Sequence, residues 1–358
     1  MRDPRVDAYA DLLLDWSLGV EPGWQVLVAT TTEARPLAEA LSRGLARRGA
    51  YALTRVQFGP LHPLDVAWTE AAGELAGSLA PLERAVVDAV DGIVLALAPE
   101  DPPADDDVDA TTRRGLRAQL TSYRARGRAG EVAEVRCDFP TPFFARRAGI
   151  PLAAYEEALY AACLRDWAAE RERMEPVREL LDEAREVRVV ARGTDLTLSV
   201  DGRTSLVDDG HANMPGGEVY LSPLEGSAEG EIAFDVPTGA AAGVRLRFRG
   251  GAVVDASADE GAEALEEALA TDDGARRLGE LGIGCNEGIA DGLRNVLFAE
   301  KMAGTVHLAL GAGFPRVGGV NRSALHWDLV KDLRRGGELW VDGVVRQRDG
   351  AWLPEAAA

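Results

Sequence analysis

No run in the 358-residue sequence approaches the roughly 18 uninterrupted apolar residues that a membrane helix requires. The opening Met1-Arg2-Asp3-Pro4 leads into no apolar segment, so a secretory signal is not expected. Cysteine is scarce: Cys137, Cys163 and Cys285 lie far apart and form no CxxC pair. That pattern excludes a disulfide framework and a cysteine zinc site, and it points to a reducing, cytoplasmic setting. Positive charge is in deficit, with 39 Lys and Arg against 59 Asp and Glu and a net charge of -20. An acidic surface repels phosphate backbones and anionic lipid, so neither nucleic acid nor membrane is expected as a partner. A nucleotide fingerprint is missing as well. Gly282-Ile283-Gly284 has neither the third glycine nor the strand-then-helix setting that such a site needs.

What is present suggests two domains, by length alone, with 46% apolar residues to build their cores. The first half alternates between strand and helix periods. Gln25 to Ala29 reads as a buried strand, and Leu37, Leu41 and Leu45 then mark one face of a helix stopped at Gly49. Tyr51 to Phe58 and Gly92 to Leu97 return as strands, the latter after a helical stretch around Leu82 to Val90. Such alternation predicts an α/β N-terminal domain with a mainly parallel sheet, over 1–185. Pro99 to Asp107 reads as a solvated acidic loop, and Ala153 to Ala184 as one long charged helical region joining the halves.

From Val187 onward short strands with glycine turns dominate, at Val187 to Ala191, Leu196 to Val200 and Val244 to Phe248. Asp342-Gly343 and Asp349-Gly350 are hairpin signals, and Ala262 to Ala270 reads as a lone helix. An α+β C-terminal domain over 186–358 is expected.

Histidine is the sharpest clue, since there are only four. His307 sits in an otherwise apolar, strand-like run, Thr305 to Leu310. His326 and Asp328 are two apart in a second such run, so they project from the same strand face. Imidazole and carboxylate together suit zinc, cobalt or manganese. Taken alone, either histidine reads as a hydrogen-bonded core residue; the combined set does not. Glu218 follows Pro215-Gly216-Gly217 at the start of an apolar strand, and Glu280 is embedded among glycines and aliphatics. A carboxylate in such surroundings must be paired or line a cleft, because an unpaired buried charge is very costly.

These residues fall in four ordered blocks, NMPGGEVYLSP, RRLGELGIGCN, FAEKMAGTVHLALG and GGVNRSALHWD. In that order they resemble the thermophilic-type metallo-aminopeptidases, the family of aminopeptidases T and S. The opening SLGVEPGWQVLVATTTEARPLAEALSRGLARRGA resembles the family's first β-α-β unit, so the likeness spans nearly the whole chain. The resemblance implies that Glu218, Glu280, His307, His326 and Asp328 hold two co-catalytic divalent metal ions. It also implies a homodimer that removes N-terminal residues from peptides with a free N-terminus. One departure stands out. Seven residues after His307 the family's best-known members carry a tyrosine that donates a hydrogen bond in the transition state, and here that position is Phe314.

The expected chemistry is metal-assisted hydrolysis, with Glu218 or Glu280 shared between the ions and the other free to act as ligand or to take the water proton. Two other readings stay open. A mononuclear iron ring-cleaving dioxygenase of related fold reuses a His and His-x-Asp arrangement but has no use for two further carboxylates. A catalytically weakened peptide-binding homologue is suggested by Phe314 alone. Four more positions are ambiguous. Glu300 reads as an added carboxylate near the site or an ion pair with Lys301, and His211 as a cleft or a surface residue. Asp195, in Gly193-Thr194-Asp195-Leu196, resembles a family block but suits an ordinary turn equally well, and His62 reads as a loop residue.

Overall fold

The computed structural model describes residues 3–56, 66–100, 110–237 and 241–354. His62 and most of the acidic loop lie outside them. The chain divides into two compact units, 1–165 with 210–216, and 166–209 with 217–358.

In the first unit the strands Tyr51–Val56, Gln25–Thr30, Gly92–Leu97, Ala133–Asp138 and Asn213–Met214 lie side by side in that order, all parallel. Gly92–Leu97 is buried along its whole length, as a central parallel strand must be. The helix Arg35–Arg47 buries Leu37, Leu41 and Leu45, the stripe that the i, i+4 spacing predicts. It ends before Gly49, whose φ of 71° is a conformation that glycine adopts without cost.

The region from Ala153 to Ala184 is two helices rather than one, Leu152–Cys163 and Trp167–Glu183. Leu164 leaves the helical conformation (ψ 67°), and Asp166 starts the second helix by accepting a hydrogen bond from the Ala169 N–H at 3.1 Å. An N-cap of this kind costs about 1 kcal/mol to lose. An apolar stripe that runs on across the break hides it from a periodicity argument.

The second unit contains two antiparallel sheets. One has eight strands, ordered Ala252–Ser257, Arg245–Arg249, Glu229–Ala233, Thr194–Ser199, Glu186–Ala191, Glu338–Val341, Val344–Arg348 and Ala351–Trp352. Asp342 and Asp349, each followed by a glycine, take left-handed φ of 49° and 51° and turn the final hairpins as Asp-Gly pairs do. The other sheet has five strands, ordered His326–Asp332, Thr305–Gly311, Leu278–Gly284, Glu218–Leu221 and Leu206–Asp208. A single core joins them: Val187, Val189, Leu196 and Leu198 from the larger sheet pack with Val219, Leu221, Leu281, Ile283, Val306 and Leu308 from the smaller. Each such side chain contributes roughly 1.5–3 kcal/mol when fully buried. The five-stranded sheet thus has one face committed to the core, which leaves the opposite face for chemistry.

Candidate metal centre

Residues paired across antiparallel strands share a face, so the register shows what the second face carries. Glu218 lies between Asp208 and Gly284, Tyr220 opposite Gly282, and Gly282 opposite His307. Ala309 lies between Glu280 and Asp328, and Gly311 opposite His326. Five sequence-predicted ligands and two further polar residues, Asp208 and Tyr220, therefore stand on one surface. The floor between them is kept low by small residues. A Cβ on Gly282 would land on the His307 ring, so only glycine leaves that ring its place.

Glu280 reaches this face through a β-bulge. Leu278 pairs with Leu310, but Glu280 pairs with Ala309, and the register shifts between them. By strict alternation Glu280 would share the core side with Leu278. The extra residue, Gly279, turns the strand over and sends the carboxylate to the other face.

The ligand atoms form two groups, Glu218–Glu280–His307 and Glu280–His326–Asp328, each with its atoms within 4.8 Å of one another. His307 Nε2 is 3.5 Å from Glu218 Oε2 and 3.5 Å from Glu280 Oε1. His326 Nε2 is 3.3 Å from Glu280 Oε2 and 3.5 Å from Asp328 Oδ1. These separations are long for direct hydrogen bonds. They match the ~3.3 Å expected between two ligands of one tetrahedral ion with metal–ligand bonds of about 2.0–2.1 Å. Both imidazoles are also oriented for coordination. His307 Nδ1 lies 3.2 Å from the Glu300 carbonyl and His326 Nδ1 3.0 Å from the Ala312 carbonyl, which places the Nδ1 proton and leaves Nε2 as a ligand. Glu218 Oε2 is buried and, among the described residues, has no hydrogen-bond donor, a costly state unless a cation meets it. The residues present fit divalent metal ions.

The electrostatics agree. Burial pushes Glu218 up to about 8, against the pull of Lys301 and His307. Burial also raises Glu280, but contacts with His307 and His326 outweigh it and hold the carboxyl down to about 2. Burial disfavours the charged form of both histidines, yet Glu280 and Glu218 raise His307, and Asp328 and Glu280 raise His326, each to about 10. Without metal, protons occupy the imidazoles; with metal, they must leave.

The groups are graded in exposure. Glu218, Glu280 and His307 are buried, Asp328 is half-buried and His326 is exposed, so the centre opens at His326. Phe314 stands at that opening, 38% exposed, its ring 5.0 Å from the His326 ring and 5.7 Å from that of Tyr220. The Phe314 N–H donates to Ser222 Oγ at 3.0 Å, and Ser222 Oγ donates to the Gly279 carbonyl at 2.6 Å, tying the loop to the bulge.

Lys301 is the residue that sequence reasoning undervalued. It is fully buried, and its Nζ lies 2.8 Å from Glu218 Oε1, 2.5 Å from Glu300 Oε1 and 3.6 Å from Asp208 Oδ2. Glu300 is thus an ion-pair partner of Lys301 and, through its carbonyl, a support for His307. No spacing rule links Lys301 with Asp208 and Glu218; only the fold does. Asp195 is an exposed partner of Arg188, and His211, in the first unit, is exposed with its ring on Trp16. Neither belongs to the two ligand groups. Among the described residues no helix is long and apolar enough to cross a membrane.

A family model described as thermophilic metalloprotease (M29) matches residues 2–348. Aminopeptidase 2 of Geobacillus stearothermophilus is 26% identical, over 99% of each chain. Aminopeptidase T of Thermus aquaticus is 31% identical over 45% of each. Among solved structures, AmpT of Thermus thermophilus superposes with a TM-score of 0.82 at 22% identity, covering 98% of this chain and 99% of the other. The 2,5-dihydroxypyridine dioxygenase of Pseudomonas putida gives a TM-score of 0.60 at 16% identity, covering 98% and 97%. Both of these likenesses are likenesses of fold.

Proposed function

The chain belongs to the thermophilic metalloprotease (M29) family, a metallo-aminopeptidase by its family and relatives, and we propose that it removes N-terminal residues from peptides with two divalent metal ions. The observation that carries the two-ion reading is Glu280, whose two oxygens face two separate Nε2 atoms at 3.5 and 3.3 Å. Glu280 would then be the shared ligand, with His307 and Glu218 completing one site and His326 and Asp328 the other. Imidazole with carboxylate suits zinc, cobalt or manganese. When bound, such ions supply a water acidic enough to attack near neutral pH and polarise the scissile carbonyl.

The protein's own residues do the rest. Since Glu280 is needed by both groups, the role of ligand or proton acceptor falls to Glu218, through its Oε2. Lys301 holds the other Glu218 oxygen and fixes its direction. The buried end of the site excludes water, and the His326 end admits the peptide. A homodimer accords with the family resemblance, and a cytoplasmic location with three cysteines of which none is in a disulfide. The ring-cleaving dioxygenase reading has less support, because a single iron leaves Glu218 and Glu280 without a task. A binding-only homologue would have no use for five costly polar residues on one sheet face.

Acetylating the N-terminus of a good peptide substrate should lower kcat/KM at least about 30-fold. That is the low end of the roughly 2–5 kcal/mol that losing one partner of a buried charged contact costs. Release of free amino acids from a panel of matched peptides measures it. Equal cleavage of blocked and unblocked peptides would show that the amine is not recognised.

A further inference from the structure

The reaction needs a group that the ligand set does not supply. As water adds to the scissile carbonyl, a C–O bond forms, the carbonyl π pair moves onto oxygen, and negative charge grows there. A donor placed at that oxygen lowers the barrier, whereas the carboxylates that dominate this face would raise it. Lys301 is committed to three carboxylates at the buried end. Arg316, one residue beyond Pro315, is exposed to solvent.

Tyr220 is different. It is the only tyrosine in the sequence after Tyr160. It stands two residues after Glu218 on the ligand face, opposite Gly282, whose strand lies between those of Tyr220 and His307. With no side chain on Gly282, nothing grows from the sheet between the phenol and the His307 ring. Its ring meets Phe314 edge-on at 5.7 Å and 71°, and Phe314 in turn meets His326 at the open end. Among the described residues its hydroxyl has no hydrogen-bond partner, although the residue is only half-buried. A phenol that the fold places beside the metal face and leaves without an acceptor is available to a bound substrate.

We propose that Tyr220 donates the hydrogen bond that stabilises the oxyanion of the tetrahedral intermediate, the function for which Phe314 lacks a hydroxyl. This rests on the peptidase reading and identifies a catalytic residue within it. The phenol keeps its proton throughout. On collapse the C–N bond breaks, the carbonyl re-forms, and the leaving amine takes the proton that the attacking water released.

Tyr220→Phe removes the hydroxyl and keeps the ring. On an unblocked dipeptide kcat should fall about 10²–10³-fold with KM nearly unchanged, the signature of a contact made only in the transition state. Metal content by mass spectrometry should stay at the parental level. Affinity for an uncleavable phosphinic dipeptide, which carries tetrahedral oxygens at the reacting centre, should weaken by a similar factor in calorimetry, while binding of a product amino acid holds. Adding Phe314→Tyr to that variant should recover at least about tenfold, because the two rings are neighbours. An unchanged kcat in Tyr220→Phe overturns the assignment, and so does a fall accompanied by loss of metal. A parent that hydrolyses no unblocked peptide overturns the peptidase reading itself, and the role of Tyr220 with it.

Discussion

Glu280→Ala should release both metal ions and abolish peptide hydrolysis, while Asp328→Ala should release only one. Glu280 is the single residue present in both ligand groups, and each of its oxygens faces a different histidine. Partners that merely orient a ligand already cost about 10–100-fold when removed. A ligand common to two ions should cost far more, on the order of 10⁴-fold in kcat/KM. The fold should survive, because Leu278, Leu281 and Ile283 keep the core face of the same strand. Mass spectrometry of metal content, beside circular dichroism, separates the two variants. An Asp328→Ala protein that keeps full metal and full rate would remove that residue from the site, and a Glu280→Ala protein that keeps one tightly held ion would show that the carboxylate is not shared.

Lys301→Met is expected to be the most destabilising single change at the centre. The substitution preserves an unbranched chain of similar length but deletes the ammonium group that pairs with Glu218, Glu300 and Asp208. Breaking a buried ion pair from one side costs about 3–5 kcal/mol, because the remaining charges lose their compensation. For a unit of this size that is a fall in Tm on the order of 10 °C. The loss should be largest in the presence of a chelator and smaller with saturating zinc, since a metal ion beside Glu218 restores positive charge. Thermal unfolding with and without chelator reads this directly. An unchanged Tm in chelator would mean that the three carboxylates are neutralised by other means.

Much of this architecture is legible in the sequence. His326 and Asp328 are two apart in an apolar run, and a period of two is enough to put them on one face. The parallel strands Gln25–Thr30 and Gly92–Leu97 are visible because each has an apolar stretch buried on both faces, Val26 to Ala29 in the first and Ile93 to Leu97 in the second. Other features depend on contacts that no local pattern encodes. The direction of Glu280 is set by one inserted residue, and alternation counted from Leu278 points it the wrong way. Lys301 reads locally as a partner of Glu300 next to it in sequence, yet its bond to Glu218 spans 83 positions. Tyr220 reads as a strand aromatic like any other until the register sets it opposite Gly282. The break between the helices at 152–163 and 167–183 is hidden twice over: the apolar stripe continues across it, and the Asp166 cap inside a charged segment looks like another surface charge.

The central claim is that two ions share Glu280, and counting metal tests it most directly. The purified chain, equilibrated with zinc, cobalt or manganese and freed of excess, should carry two equivalents per chain by mass spectrometry, with peptide hydrolysis rising as they are loaded. A chain that saturates at one equivalent of redox-active iron, and releases no amino acid from unblocked peptides, would contradict the account and favour ring-cleavage chemistry on the same fold.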